Sequence, residues 1–157
     1  MTKIVKPKNT LKEKVGDGGF NPESIKRAQT TIEENVVDFK PIATHYLGEI
    51  KKALSDEKTR ANPEVLYGQL LDQLTQLRAQ GAMFQYPAIT LLTDTVVDLL
   101  DSLKSVDKTI LEIIHAYEQS AMILLAKGIK SDQDKTCQIL SKELNMVCSK
   151  YKEKKQG

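Results

Sequence analysis

Residues 62–87 read NPEVLYGQLLDQLTQLRAQGAMFQYP and carry the clearest helical pattern in the chain. Asn62 can cap a helix start, and Pro63 suits the first helical position, where its missing N–H leaves no helical hydrogen bond unmade. Large apolar residues then recur in steps of three and four, which is the spacing of one face of an α-helix. The residues in this series are Leu66, Leu70, Leu74, Leu77 and Gly81. We therefore predict one amphipathic helix that ends before Tyr86-Pro87.

The same periodicity extends to both sides of this helix. A first helix is predicted from Asn21-Pro22-Glu23 to Leu54, with a kink or break at Pro41. A third follows Pro87, a fourth begins near Ser105 or Asp107 and ends at Lys127-Gly128, and a fifth follows a capping pair. No segment alternates with a period of two, so we predict an all-α fold, an up-and-down four-helix bundle with an additional C-terminal helix. The residues predicted to face inward in the first helix are Ile25, Ala28, Ile32, Val36, Phe39, Ile42 or Ala43, Tyr46, Ile50 and Leu54. Those of the third helix are Ile89, Leu92, Val96, Leu99 and Leu103, and those of the fourth are Ile110, Ile114, Tyr117, Ala121 and Leu124. The fifth helix follows the capping pair Ser131 and Asp134, and its inward-facing residues are Cys137, Leu140, Leu144, Val147 and Tyr151.

Composition divides the chain into a body and two basic ends. Residues 1–20 lack periodicity and are predicted to be a flexible basic lead-in, residues 21–151 a single helical bundle domain, and residues 152–157 a basic C-terminal tail. The longest uninterrupted apolar run, residues 121–126, is too short to cross a bilayer, and the first residues do not resemble a secretory signal. We therefore expect a cytoplasmic protein without membrane or nucleic-acid partners, because no nucleic-acid-binding motif accompanies the basic ends.

Candidate chemical groups are scattered rather than clustered. Cys137 and Cys148 are eleven residues apart in one predicted helix, about 16 Å, which is too far for a disulfide and favours reduced thiols. Asp94, Asp98 and Asp101 follow helical spacing, but no Glu-x-x-His metal motif accompanies them. We predict no metal, no cofactor and no hydrolytic triad, and hence a protein that is not an enzyme.

Residues 74–87, LTQLRAQGAMFQYP, carry a family resemblance. The segment resembles the active-site segment of bacterial histidine phosphotransfer (HPt) domains, which in one branch reads approximately His-Asp-Leu-Lys-Gly-Gln-Gly-Gly, a small residue, and Phe-Gly-Tyr-Pro. Arg78 stands where the family has lysine, and the matching residues are Leu77, Gln80, Gly81, Phe84, Tyr86 and Pro87. The likeness extends over residues 21 to about 127 and implies an HPt-like bundle from a bacterial two-component signalling system.

Two departures from the HPt pattern remove its chemistry. Thr75 stands where the family has its phospho-accepting histidine, and Ala79 stands where glycine gives the partner room. A threonine hydroxyl attacks only when a base activates it, and a phosphothreonine is too stable to pass its phosphate on. The resemblance then implies a non-catalytic pseudo-HPt module that binds a response-regulator receiver domain or a histidine kinase as adaptor or competitor. The predicted partner-binding face consists of Leu71, Asp72, Thr75, Arg78, Ala79 and Ala82.

Two alternative functions remain open from the sequence. The chain has two histidines, and an active phosphotransfer protein would use His115 or His45. A lone helical histidine is more often a packing or surface residue, so this reading ranks second. The other alternative is a structural or oligomeric bundle, such as a homodimer, that is unrelated to receivers and whose fifth helix and basic tails bind another partner.

Overall fold

The computed structural model of the chain describes residues 21–34 and 38–156. Within these two ranges the chain is helical and contains no strand, which confirms the predicted all-α class. The predicted lead-in, residues 1–20, lies outside the described residues. The helices are α1 (Pro22–Glu34), α2 (Phe39–Ser55), α3 (Glu57–Arg60), α4 (Pro63–Met83), α5 (Pro87–Leu103), α6 (Lys108–Ala126) and α7 (Lys135–Gln156).

The predicted first helix is two helices, α1 and α2. Helix α2 begins at Phe39 because the carboxylate of Asp38 accepts a hydrogen bond from the Lys40 N–H at 3.1 Å and caps the start. Pro41 therefore lies in the first turn, where the missing N–H breaks no helical bond, and the break comes earlier than predicted. Ile25 and Ala28 in α1 are exposed, so their assignment to the inward stripe was wrong.

The described residues divide into two units, one before and one from Asp38, and the hydrophobic core belongs to the second. In that unit α2 contacts α4, α4 contacts α5, α5 contacts α6, and α6 contacts α2, so these four helices form a closed ring of contacts. The short helix α3 joins α2 to α4 and contacts both. Helix α7 contacts α5 and α6 only, so among the described residues it leaves α2 and α4 uncovered.

The predicted stripes of α4 and α6 are confirmed, since every residue of both series is buried. In α5 the last member of the series, Leu103, is half-buried. In α7 the prediction that Val147 faces inward was wrong, because Val147 is 48% exposed whereas its neighbour Cys148 is buried. The step from Leu144 is therefore four residues, which brings Cys148 and Tyr151 onto the buried face.

The C-terminal end of α7 is tied to the start of α6 through Asp107. The Asp107 carboxylate caps α6 by accepting the Ile110 N–H at 2.9 Å. It also accepts a hydrogen bond from the Tyr151 hydroxyl and lies 3.2 Å from Lys155 Nζ. Residues 152–156, which the sequence assigned to a basic tail, accordingly continue α7.

Two linked hydrogen bonds lie in the core between α5 and α6. The Thr93 hydroxyl donates to the Ile89 carbonyl at 2.7 Å, so it accepts the hydrogen bond from the Tyr117 hydroxyl, also at 2.7 Å. Both residues are fully buried. Burial strongly raises the pKa of Tyr117, so the phenol stays neutral and acts as a donor.

Candidate functional site

The segment with the HPt-like pattern forms the C-terminal half of α4 and the turn into α5. Leu74 and Leu77 are fully buried in the core, on the side of α4 that faces its neighbours. Thr75 is half-buried and Ala79 is exposed. The two departures that remove the HPt chemistry are therefore accessible from solvent.

The six residues of the predicted partner-binding face share one side of α4. Their spacing of one, three and four residues places them on a continuous stripe, which no described part of α7 covers. Three of them, Leu71, Thr75 and Arg78, are half-buried, and the other three are exposed, namely Asp72, Ala79 and Ala82.

The Arg78 side chain has a partner within the chain. Its Nη1 atom lies 3.6 Å from Oδ1 of Asp94 on α5, and both side chains are partly exposed. An exposed pair of this length contributes at most about 1 kcal/mol to stability, so the guanidinium can exchange Asp94 for an external carboxylate. In the sequence Asp94 is one of three aspartates with helical spacing. Its pairing with Arg78 depends on how α4 and α5 pack and has no signal in the sequence.

Gly81 allows α4 and α5 to come close together. A Cβ atom at this position would lie 2.8 Å from Oγ1 of Thr90, well inside ordinary contact distance. The Thr90 hydroxyl donates to the Tyr86 carbonyl at 3.3 Å, so its position is held by the same turn. The buried position of Gly81 agrees with its place in the predicted apolar series, whereas its contact with Thr90 was not predicted.

The turn between α4 and α5 is built on aromatic contacts. The ring of Phe39 lies 4.6 Å from that of Tyr86 and 5.7 Å from that of Phe84, between centroids. Lys130 Nζ lies 5.2 Å from the centre of the Tyr86 ring on its outer side. Gln85, between Phe84 and Tyr86 in the sequence, has a φ of 60°, a left-handed conformation that glycine adopts more easily. The HPt pattern has glycine at this position.

A groove of about 430 Å³ lies beside this turn, between α4 and α5. Only Ala82 among the six predicted face residues lines it. Its other lining residues include Pro87, Leu91 and the carboxylates of Asp94 and Asp132. The Thr75 face thus continues into an acidic, partly apolar groove, which the sequence did not predict because Asp132 comes from the loop before α7.

Neither histidine lies on α4, the helix that carries Thr75. His45 is exposed on α2, with its ring edge-on to that of Tyr46 at 5.7 Å. His115 is exposed on α6, with Nδ1 4.0 Å from Oε2 of the buried Glu118. His115 also lines a second groove, between α2 and α6, together with Lys51 and Lys108.

The cysteines are buried, unpaired thiols. Burial raises the pKa of Cys148 to about 11 and also raises that of Cys137, so both are protonated at neutral pH and are poor nucleophiles. No group of three or more His, Cys, Asp or Glu side chains that could hold a metal ion occurs in residues 21–34 and 38–156. Within the same ranges, no helix has the length and apolar content needed to cross a membrane.

No protein-family model matches the chain, and neither a curated protein nor a solved structure is similar to it. The HPt resemblance therefore rests on the residues of the 74–87 segment.

Proposed function

We propose that the chain is a pseudo-HPt module, an HPt-like up-and-down four-helix bundle that binds a receiver domain without accepting its phosphate. The observation that carries this proposal is the different placement of matching and departing residues within the 74–87 segment. Matching residues such as Leu77, Gly81 and Tyr86 lie in the core or in close helix contacts. The departures at Thr75 and Ala79 lie at the surface, where the family's chemistry takes place.

The ring of contacts formed by α2, α4, α5 and α6 supports the bundle part of the proposal. Short connections join α4 to α5 and α5 to α6, which is the connectivity of an up-and-down bundle. Helix α7 is an addition that packs on α5 and α6 and leaves the Thr75 face of α4 free.

The loss of phosphotransfer follows from the groups at the surface. Phosphate relay from a receiver aspartate to an HPt domain uses an imidazole as acceptor, and α4 carries a hydroxyl at Thr75 instead. The methyl of Ala79 adds bulk on the same side of the helix, one turn away. What remains is a surface of mostly small and apolar side chains with Asp72 and Arg78, and the planar guanidinium of Arg78 can pair with a partner carboxylate.

The binding experiment uses the full chain and a panel of isolated receiver domains from bacterial response regulators, measured by calorimetry. We expect saturable binding to at least one receiver and its loss in Thr75→Arg, because a long charged side chain then fills the centre of the face. Thr44→Arg is the matched control, since Thr44 is an exposed threonine on α2. Absence of binding across the panel, or equal loss in both variants, would contradict the proposal.

A phosphorylation experiment separates this proposal from active phosphotransfer. We expect no acid-labile phosphate on the chain after incubation with a phosphorylated receiver, and its appearance in Thr75→His, Ala79→Gly. Acid-labile phosphate on the unmodified chain that disappears in His115→Ala would instead establish the second candidate. The specific observation that favours His115 over His45 for that role is its place in the cationic groove between α2 and α6.

An oligomeric, structural bundle is the third candidate. Its expected signature is a concentration-dependent mass in analytical ultracentrifugation together with no receiver binding. The exposed Ile139 and Met146 on the outer side of α7 are the residues on which such a contact would form.

A further inference from the structure

The groove between α2 and α6 has an apolar floor. Its volume is about 490 Å³, within the range of about 300–1,000 Å³ that is usual for small-molecule sites. The floor consists of Leu54 from α2 and Leu111 from α6, which are half-buried and pack against the core. An apolar group of a ligand can therefore be covered on one side by the two leucines.

The rim of this groove is cationic. Lys51, Arg60 and Lys108 come from three different helices, α2, α3 and α6, and Glu112 is the carboxylate that lines the groove with them. Three cations and one carboxylate give a formal charge of +2 with His115 neutral. The groove beside the Thr75 face has the opposite character, since its charged lining residues are Asp94 and Asp132.

The apolar floor and the positively charged rim together favour a ligand that has an apolar group and a negatively charged group. A phosphate monoester carries a charge of about −1.5 to −2 at pH 7, which matches the formal charge of the rim. The planar guanidinium of Arg60 suits two phosphate oxygens, and lysine ammonium groups suit the remaining oxygen. We propose that the α2–α6 groove binds a small phosphate monoester whose organic part is apolar. This inference goes beyond receiver binding and uses a different face of the protein.

The test is a titration of the ¹⁵N-labelled full chain with phenyl phosphate, followed by NMR chemical shifts. We expect saturable shifts at Leu54, Lys108 and Leu111, and binding at least about tenfold tighter than that of phenol or of inorganic phosphate, because each of these offers one half of the recognition. Benzoate, which has a carboxylate in place of the phosphate, tests whether the groove prefers a phosphate to another anion. Equal affinity for benzoate, or equal affinity for phenol, would overturn the assignment of a phosphate monoester.

Charge-reversal variants test the location. Arg60→Glu combined with Lys108→Glu should weaken phenyl phosphate binding at least about tenfold. Both side chains are exposed, and glutamate at the first position of α6 suits the helix dipole, so the fold should tolerate the change. Lys150→Glu on α7 is the matched control and should leave the affinity unchanged. Equal effects of the two changes, or no saturable binding to the unmodified chain, would overturn the proposal.

The two binding experiments fail separately. Thr75→Arg alters α4 and should leave phenyl phosphate binding intact. If the unmodified chain binds phenyl phosphate but no receiver, the pseudo-HPt proposal alone is contradicted. If it binds a receiver but not phenyl phosphate, the groove proposal alone is contradicted.

Discussion

Replacing Gly81 with alanine tests whether the close approach of α4 and α5 depends on this glycine. In a helix interior, alanine is favoured over glycine by about 1 kcal/mol, so helix propensity alone predicts a more stable protein. The structure predicts the opposite sign, because the added Cβ would lie 2.8 Å from Oγ1 of Thr90. Overpacking of a well-packed contact costs about 1–3 kcal/mol. We therefore expect Gly81→Ala to lower the free energy of unfolding by up to about 2 kcal/mol.

Gly68 provides the matched control within the same helix. It lies in the interior of α4, and a Cβ there would meet no atom within 4 Å. Gly68→Ala should therefore stabilise the protein by about 1 kcal/mol, which is about 2–4 °C in Tm for a domain of this size. The two substitutions remove the same backbone freedom, so their difference isolates the steric contact.

A double-mutant cycle identifies the atom responsible. In a Thr90→Ala background the hydroxyl is absent, and Gly81→Ala should stabilise the protein about as much as Gly68→Ala does. Urea unfolding followed by circular dichroism supplies the free energies. Two results would refute the reasoning: Gly81→Ala as stabilising as Gly68→Ala in the unmodified protein, or a cost of Gly81→Ala that persists in the Thr90→Ala background.

Three further predictions concern the core, the turn and the C-terminal helix. Thr93→Val should cost about 1–3 kcal/mol of unfolding free energy because it leaves the buried Tyr117 hydroxyl without an acceptor, whereas Tyr117→Phe should cost less; equal costs in urea unfolding would argue against the donor assignment. Gln85→Gly should raise the unfolding free energy by about 0.5–1 kcal/mol, since relief of the left-handed conformation outweighs the entropy of glycine, and a lower Tm would count against that balance. Partial burial alone would raise the pKa of Asp107, but hydrogen bonds from Tyr151, Ile110 and Lys155 hold that pKa below its usual value. The ionised Asp107 carboxylate therefore stabilises the folded protein above about pH 4, and this stabilisation is lost as the pH falls through the lowered pKa. Asp107→Asn should reduce stability at pH 7 and flatten the loss of stability in acid, and an unchanged pH profile in thermal unfolding would exclude this role.

The helical class and most helix ends could be predicted because they depend on local chemistry. The leucine series of α4 is buried as expected, and Asn62 and Asp107 cap the helices that follow them. Caps and amphipathic spacing act within a few residues of the chain, so one sequence is enough to read them. The short helix α3 and the early break before Phe39 were missed, since Pro41 was the stronger signal and Asp38 was not recognised as a cap.

The stripe of α7 shows the limit of periodicity. Val147 and Cys148 are neighbours, and steps of three or four residues from Leu144 are both helical. The choice between them depends on the orientation in which α7 packs against α5 and α6, which exposes Val147 and buries Cys148.

The sequence by itself determined that the chain is helical and where α4, α5 and α6 begin. Only the tertiary structure decided that Arg78 lies beside Asp94, that Gly81 faces Thr90, and that cations from three helices line one groove. The physical reason is range. Capping and helical spacing are interactions between near neighbours along the chain, whereas an ion pair, a steric contact between helices and a binding groove each arise from residues that only packing brings together.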